Sequence, residues 1–315
     1  MKTFQRILIL VIVTLIFESI GMAQQYPVFS QYYFNELVLN PAYAGSNVQL
    51  SLTTMYRNQW VNFPGAPKTF SFSGHTALKR NKIGVGLMVN HDEIGVYKNE
   101  HIFASYSYKI HFHDATLAMG LQAGINILGA DYSKLDLQNP ADAAFYNILN
   151  VVKPNFGGGL YYTKKNFFVG FSVPFLLNNK VANSVETMMG RLKEARYYFL
   201  RSGVVFPLDR FKKVKMNPSV LIRAQEGQPL SFDINNAFIF YDVFSAGVSY
   251  RSSDSFISFI DLKISEKFHF GYSYDWTTSS LSRYSNGTHE FMINYRTNIR
   301  GIHKNPKCPQ YYDYR

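Results

Sequence analysis

The sequence predicts an all-β fold: a transmembrane antiparallel outer-membrane β-barrel of about fourteen strands, with a short N-terminal segment that caps the periplasmic mouth or plugs the lumen. Three observations lead there. From residue 47 almost to the C-terminus, stretches of about ten residues alternate apolar and polar positions, the period of a strand with one apolar and one polar face. Phe268, Phe270, Tyr272, Tyr274 and Trp276 alternate with His269, Gly271, Ser273 and Asp275, and Phe291, Ile293 and Tyr295 alternate with Glu290, Met292, Asn294 and Arg296. The gaps between stretches are sorted, short and long in turn, as in barrels whose periplasmic turns are tight and whose outer loops are longer. Aromatic residues are abundant, with 27 Phe and 23 Tyr, which suits girdles at two membrane interfaces.

The elements follow in order. Residues 1–23 read as an export signal: Lys2 and Arg6 precede the apolar run Ile7 to Phe17, and Gly21-Met22-Ala23 offers a small-residue cleavage site. That run is interrupted by Glu18 and falls short of the ~20 residues a membrane helix needs. No Cys adjoins the cleavage site, which argues against an N-terminal lipid anchor. Residues 24–46 are aromatic but do not alternate. Phe29, Tyr32, Tyr33 and Leu37 are spaced for one face of a short helix closed by Asn40-Pro41. The barrel is expected over 47–297, with strands near 47–57, 67–79, 82–91, 99–111, 114–128, 154–164, 166–175, 196–208, 212–225, 229–241, 242–252, 255–265, 266–277 and 286–297. Tight polar turns are expected at 79–82, 111–114, 164–166, 209–212, 241–242 and 265–267, and long connections at 58–66, 129–153, 176–195 and 278–285. Residues 298–315 form a basic, Pro-containing tail. An even strand count places both termini in the periplasm.

The formal net charge is +11. The basic residues sit mainly in the short turns and the tail, with no basic helix, so a cationic rim fits better than nucleic-acid binding. The single Cys308 cannot form an internal disulfide. Arg57, His75, Lys79, Lys109, Arg201, Lys215, Arg223, Asp233, Arg251, Asp261, Lys263, Glu290 and Arg296 fall on the polar phase of their strands. They are expected to face the lumen, as an internal ion-pair network or as a positively biased groove. A barrel of this size has a lumen that must be open, plugged or occupied.

Candidate chemistry is sparse, and no catalytic residue, metal or cofactor is expected. His111-Phe112-His113 lacks a third ligand nearby in sequence and lies at a turn. His91-Asp92-Glu93 reads as a solvated loop. Gly157-Gly158-Gly159 lacks the Lys-Ser/Thr of a phosphate loop and reads as a place of close approach or a bend in the wall. There is no G-x-S-x-G elbow. The better candidates bind partners. Asn40, Pro41, Tyr43 and Gly45 belong to the hinge between the N-terminal segment and the first strand. Arg57, Asn58, Gln59 and Trp60, with Pro64, Gly65 and Pro67, form the first outer loop, where Trp and Arg suit partner anchoring.

The stretch from Gln25 to Gly45, QYPVFSQYYFNELVLNPAYAG, closely resembles the opening of the PorP/SprF family. The resemblance continues in Tyr56-Arg57-Asn58-Gln59-Trp60, Gly65-Ala66-Pro67-Lys68-Thr69, Pro154-Asn155-Phe156-Gly157, Val248-Ser249-Tyr250-Arg251 and Gly271-Tyr272-Ser273-Tyr274-Asp275, and it covers essentially the whole mature chain. It implies an outer-membrane component of type IX secretion in Bacteroidota, linked in gliding species to surface adhesins. The partners it implies are a type IX substrate, notably the C-terminal domain of a large surface adhesin, and periplasmic ring or peptidoglycan-linked subunits. Outer-membrane lipid is expected around the wall, and no nucleic acid. The residues alone leave two other readings open, a porin-like solute channel and a barrel hydrolase.

Overall fold

A computed structural model describes residues 28–131, 149–178 and 195–299. Fourteen antiparallel strands close into a barrel: β1 (Leu50–Asn58), β2 (Lys68–Leu78), β3 (Ile83–Ile94), β4 (Tyr97–His111), β5 (Ala115–Ala130), β6 (Leu149–Lys164), β7 (Phe167–Val173), β8 (Tyr197–Val204, continued in the same register by Phe206–Pro207), β9 (Val214–Gln225), β10 (Ser231–Phe240), β11 (Phe244–Arg251), β12 (Ser255–Lys263), β13 (Phe268–Thr277) and β14 (Thr288–Thr297). Each strand pairs with its sequence neighbour. The seam between first and last runs from Leu50 opposite Thr297 to Asn58 opposite His289, so no edge is left unpaired. Each of these strands answers to one of the fourteen expected. The largest difference is β6, which begins at Leu149 rather than 154 because its ladder with β5 continues to Ala130.

The burial pattern is inside-out relative to a water-soluble sheet protein. Ser71, Asn90, Asn155, Asp233, Ser273 and Glu290 are all 0 % exposed. The outward positions between them carry Phe72, Leu121, Ile234, Val248 and Ile293, all exposed. Apolar side chains outside and polar side chains inside are what a bilayer selects, because hydrocarbon solvates the former and the strand ladder satisfies the backbone.

At one end of the barrel every connection is tight: 79–82, 112–114, 165–166, 208–213, 241–243 and 264–267. At the other end lie the longer connections 59–67, 131–148, 174–196 and 278–287, with three short ones at 95–96, 226–230 and 252–254. The first of these is short because β3 and β4 keep pairing to Ile94 and Tyr97, and Gly95, at φ 59°, closes the hairpin. Lys79, expected in the lumen, instead lies exposed in its turn, since β2 ends at Leu78 and Lys79 leaves the strand with φ 46°. The export signal and residues 300–315 of the tail lie outside the described residues.

Candidate functional site: a filled lumen and the rim above it

Residues 28–46 run inside the barrel. The expected helix does not form; two single 3-10 turns, Glu36–Val38 and Pro41–Tyr43, take its place. Wall groups take over the hydrogen bonds that a helix would make internally. Asn40 does not end a helix. It caps the second turn, its Oδ1 accepting from the Ala42 N–H at 2.9 Å, while its Nδ2 donates to the carbonyls of Leu160 and Phe171 at 3.0 and 3.3 Å. Ser172 Oγ donates to the Leu39 carbonyl at 2.6 Å, Ser107 Oγ to Ala44 at 2.7 Å, and Lys109 Nζ to Gly45. His75 Nδ1 accepts from the Gly45 N–H at 3.2 Å.

Close approach of two backbones requires wall positions without a Cβ. Gly84, Gly120 and Gly159, on β3, β5 and β6, provide them: a Cβ built there would lie 1.9 Å from the Ala44 carbonyl oxygen, 2.1 Å from the Ala42 nitrogen and 2.1 Å from Asn40 Oδ1. The glycine run 157–159 is thus a place of close approach, as expected, but what approaches Gly159 is the N-terminal segment. Gly157 meets Pro174, which turns inward so that Phe175 packs on Phe103.

Higher in the lumen the segment is held by charge. The Glu290 carboxylate accepts from the N–H groups of Ser30 and Gln31, both at 2.8 Å. Arg57 pairs with Asp275 at 2.9 Å and with Glu290 at 3.0 Å, and it donates to Ser30 Oγ at 2.8 Å. Asp233 joins Arg223 (2.7 Å) to Arg251 (3.2 Å), and Arg251 donates to the Phe29 carbonyl at 3.3 Å. Arg201 pairs with Glu36 and sits over the rings of Tyr32 and Phe168. The expected internal ion-pair network is therefore present, and much of it is spent on the segment. Phe29, Tyr32, Tyr33, Val38 and Leu39 pack in one apolar cluster with wall residues Met55, Met88, Phe199, Leu221, Phe259 and Met292. This apolar core lies inside a ring of inward polar residues and was hidden from the alternation pattern, because it joins residues far apart in sequence.

The contacts fix the direction of the segment. Gly45 lies by Thr76, Ala77 and Gly84, near the tight-turn ends of β2 and β3. Ser30 lies at the level of Arg57, one residue from the far end of β1. The chain therefore traverses the lumen, and Val28 reaches the long-loop mouth while Ile299 leaves β14 at the opposite end. Even strand parity relates only the ends of the sheet, and the segment adds a further crossing between Gly45 and Ser30; the two termini, expected on one side, lie outside the described residues.

The candidate partner residues divide accordingly. Asn40, Pro41, Tyr43, Gly45 and Arg57 are inside the barrel, Tyr43 set edge-on to His75 and Tyr161. Asn58, Gln59, Trp60, Pro64, Gly65 and Pro67 shape the mouth. Gln59 N–H donates to the Pro67 carbonyl, Trp60 N–H to Thr288 Oγ1, Val61 N–H to Gly287, and Gly95 N–H to Gly65, all between 2.9 and 3.1 Å. This stitching joins three loops and leaves a cavity of about 380 Å³ lined by Asn58, Trp60, Val61, Phe63, Lys68 and Glu93 among others. The histidine candidates are dispersed: His91 pairs with Glu100 across β3 and β4, His111 contacts Thr116 and Asn81, and His113 is fully exposed.

Among solved structures, the monoaromatic hydrocarbon channel CymD is 13% identical, with a TM-score of 0.51 over 90% of this chain and 96% of that one. The Acinetobacter baumannii outer membrane protein Omp33 is 9% identical, with a TM-score of 0.47 over 79% of this chain and 99% of that one. At these identities the CymD likeness is one of fold, that of an outer-membrane barrel. No curated protein matches the chain. A sequence model for the family described as type IX secretion system membrane protein PorP/SprF matches residues 21–295, from before the lumen segment into the last strand. The chain belongs to the PorP/SprF family, membrane components of the type IX secretion system rather than members of a known enzyme family.

Proposed function

We propose that this barrel docks or anchors an exported surface protein at its long-loop mouth, through the C-terminal domain of that protein, and performs no chemistry itself. The observation that carries the reading is the filled lumen. With residues 28–46 bonded to the wall at many levels, the stitched rim around Trp60 and Phe63, whose rings meet edge to face at 6.5 Å, offers an accessible recess at that end. Trp60 is half-buried and Phe63 exposed, and aromatics on a backbone already held by hydrogen bonds make good anchors, because little conformational entropy is lost on docking. In gliding Bacteroidota the cargo would be a large adhesin. Ile299 lies at the opposite end, where we propose that the tail following it meets periplasmic ring or peptidoglycan-linked subunits.

A mild-detergent pull-down of the tagged full-length protein tests this, with Trp60→Ala beside the wild type. The expected result is recovery of a surface protein bearing a type IX C-terminal domain, lost in the variant while heat-modifiable migration persists. A deletion strain that still displays all its type IX substrates overturns the reading. A solute channel, the other reading, needs the segment to withdraw; steady conductance of the wild type in planar bilayers would favour it.

A further inference from the structure

The tight-turn end carries a second surface of a different kind. Two adjacent turns, 208–213 and 241–243, are joined by the Tyr241 N–H donating to the Lys213 carbonyl at 2.7 Å. Together they expose Phe211 (79 %), Tyr241 (65 %) and Val243, in the turns just past the strand end that carries the exposed Phe244. Interleaved with them are Arg210, Lys212 and Lys213, all exposed. Among the described residues none of these three has a carboxylate partner. The nearby carboxylates are already engaged: Asp209 accepts from the N–H groups of Phe211 and Val214 at 3.0 and 2.7 Å, and both oxygens of Asp242 take Lys215 Nζ at 2.6 and 2.8 Å. Lys213 Nζ lies 5.8 Å from the Phe211 ring centroid and 5.5 Å from that of Tyr241, so the ammonium is held beside both rings.

We propose that Arg210, Lys212 and Lys213, with Phe211 and Tyr241, form a binding site for the phosphodiester headgroup of an anionic phospholipid in the membrane leaflet at the tight-turn end. The geometry suits a lipid better than a soluble acid. Uncompensated cations meet the headgroup phosphate, and the adjoining rings lie where the glycerol and upper acyl chain must pass. The lysines place their ammonium groups in the headgroup region while their stems and the rings remain in the apolar layer. A purely aqueous partner would leave Phe211 and Tyr241 in water.

Native mass spectrometry of the full-length protein, released from zwitterionic detergent with palmitoyl-oleoyl phosphatidylglycerol or phosphatidylcholine, reads the site. The expected result is preferential retention of phosphatidylglycerol by the wild type. It should fall by about fivefold for each cation removed, reaching background in R210Q/K212Q/K213Q. The corresponding change at the other end, K68Q/K98Q, should leave it intact. Equal retention of both lipids by the wild type, or undiminished phosphatidylglycerol in the triple variant, overturns the proposal. So does loss of preference in K68Q/K98Q, which would show a response to net charge alone. Should the triple variant not fold, K212Q and the salt dependence of the wild-type preference decide: an unchanged preference in both overturns it.

Discussion

Gly120→Ala tests whether the lumen segment is seated against the wall. The added methyl would lie 2.1 Å from the Ala42 nitrogen and 2.4 Å from both Ala42 Cα and the Pro41 carbonyl carbon, where ordinary contact begins at 3.4 Å. The wall cannot yield, because Gly120 is paired with Ser107 on β4 and Gly159 on β6. The segment must therefore withdraw by more than 1 Å. That strains the capping bond of Asn40 and the Ser107–Ala44 bond, each worth about 0.5–1.5 kcal/mol, on top of about 1–3 kcal/mol for overpacking. The expected destabilisation is about 2–4 kcal/mol, read as a lowered urea midpoint in lipid vesicles, with faster hydrogen exchange at the Ala42 and Ala44 amides. Gly158→Ala is the control. Its methyl would meet nothing nearer than 3.6 Å, so it should change stability by less than about 0.5 kcal/mol. Equal midpoints and equal exchange for Gly120→Ala and the wild type would refute the seating.

Three further outcomes are expected. Arg57→Met removes the nearest cation from buried Asp275 and Glu290, leaving Asp275 only Arg251 at 4.0 Å, and should cost about 3–5 kcal/mol; recovery of part of that loss in Arg57→Met/Asp275→Asn separates charge from packing, and no recovery would deny the pairing. Epitopes placed before Val28 and after Ile299 should be accessible from opposite faces of the membrane; accessibility of both from one face would contradict the path through the lumen. The Asp209 carboxyl is held below the ordinary aspartate range, first by the N–H of Val214 and then by further turn amides including Phe211. The contribution of this group to the turn is therefore complete above the ordinary aspartate range and lost as pH falls through its lowered folded value. A titration of the Asp209 carboxyl by NMR that finds no depression would remove this account.

Much of the barrel was legible because a strand's period of two depends only on the order of residues along it. Phe291, Ile293 and Tyr295 announce one face and Glu290, Met292 and Asn294 the other, whatever they pair with. The succession of such stretches, with Lys79-Arg80-Asn81-Lys82 and similar tight polar turns alternating with longer connections between them, carried the strand count and the antiparallel order. The first-loop residues Asn58, Gln59 and Trp60 could also be placed near a mouth, because they follow a strand.

What sequence alone determined about this chain is thus the barrel, its two faces and the sorting of its connections, all local properties. What fills the barrel was decided by tertiary structure. Phe29, Tyr32 and Leu37 carry helical spacing, yet Glu290 and Ser172, far along the chain, supply the hydrogen bonds and leave only two short turns. Gly84, Gly120 and Gly159 look like ordinary strand glycines until the backbone of Pro41 to Ala44 lies against them. Arg57 reads both as a lumen cation and as a loop anchor until Asp275 and Glu290 close around it. A lumen is a property of the closed sheet, and the groups that meet inside it come from strands whose order in space, not in sequence, decides their contacts.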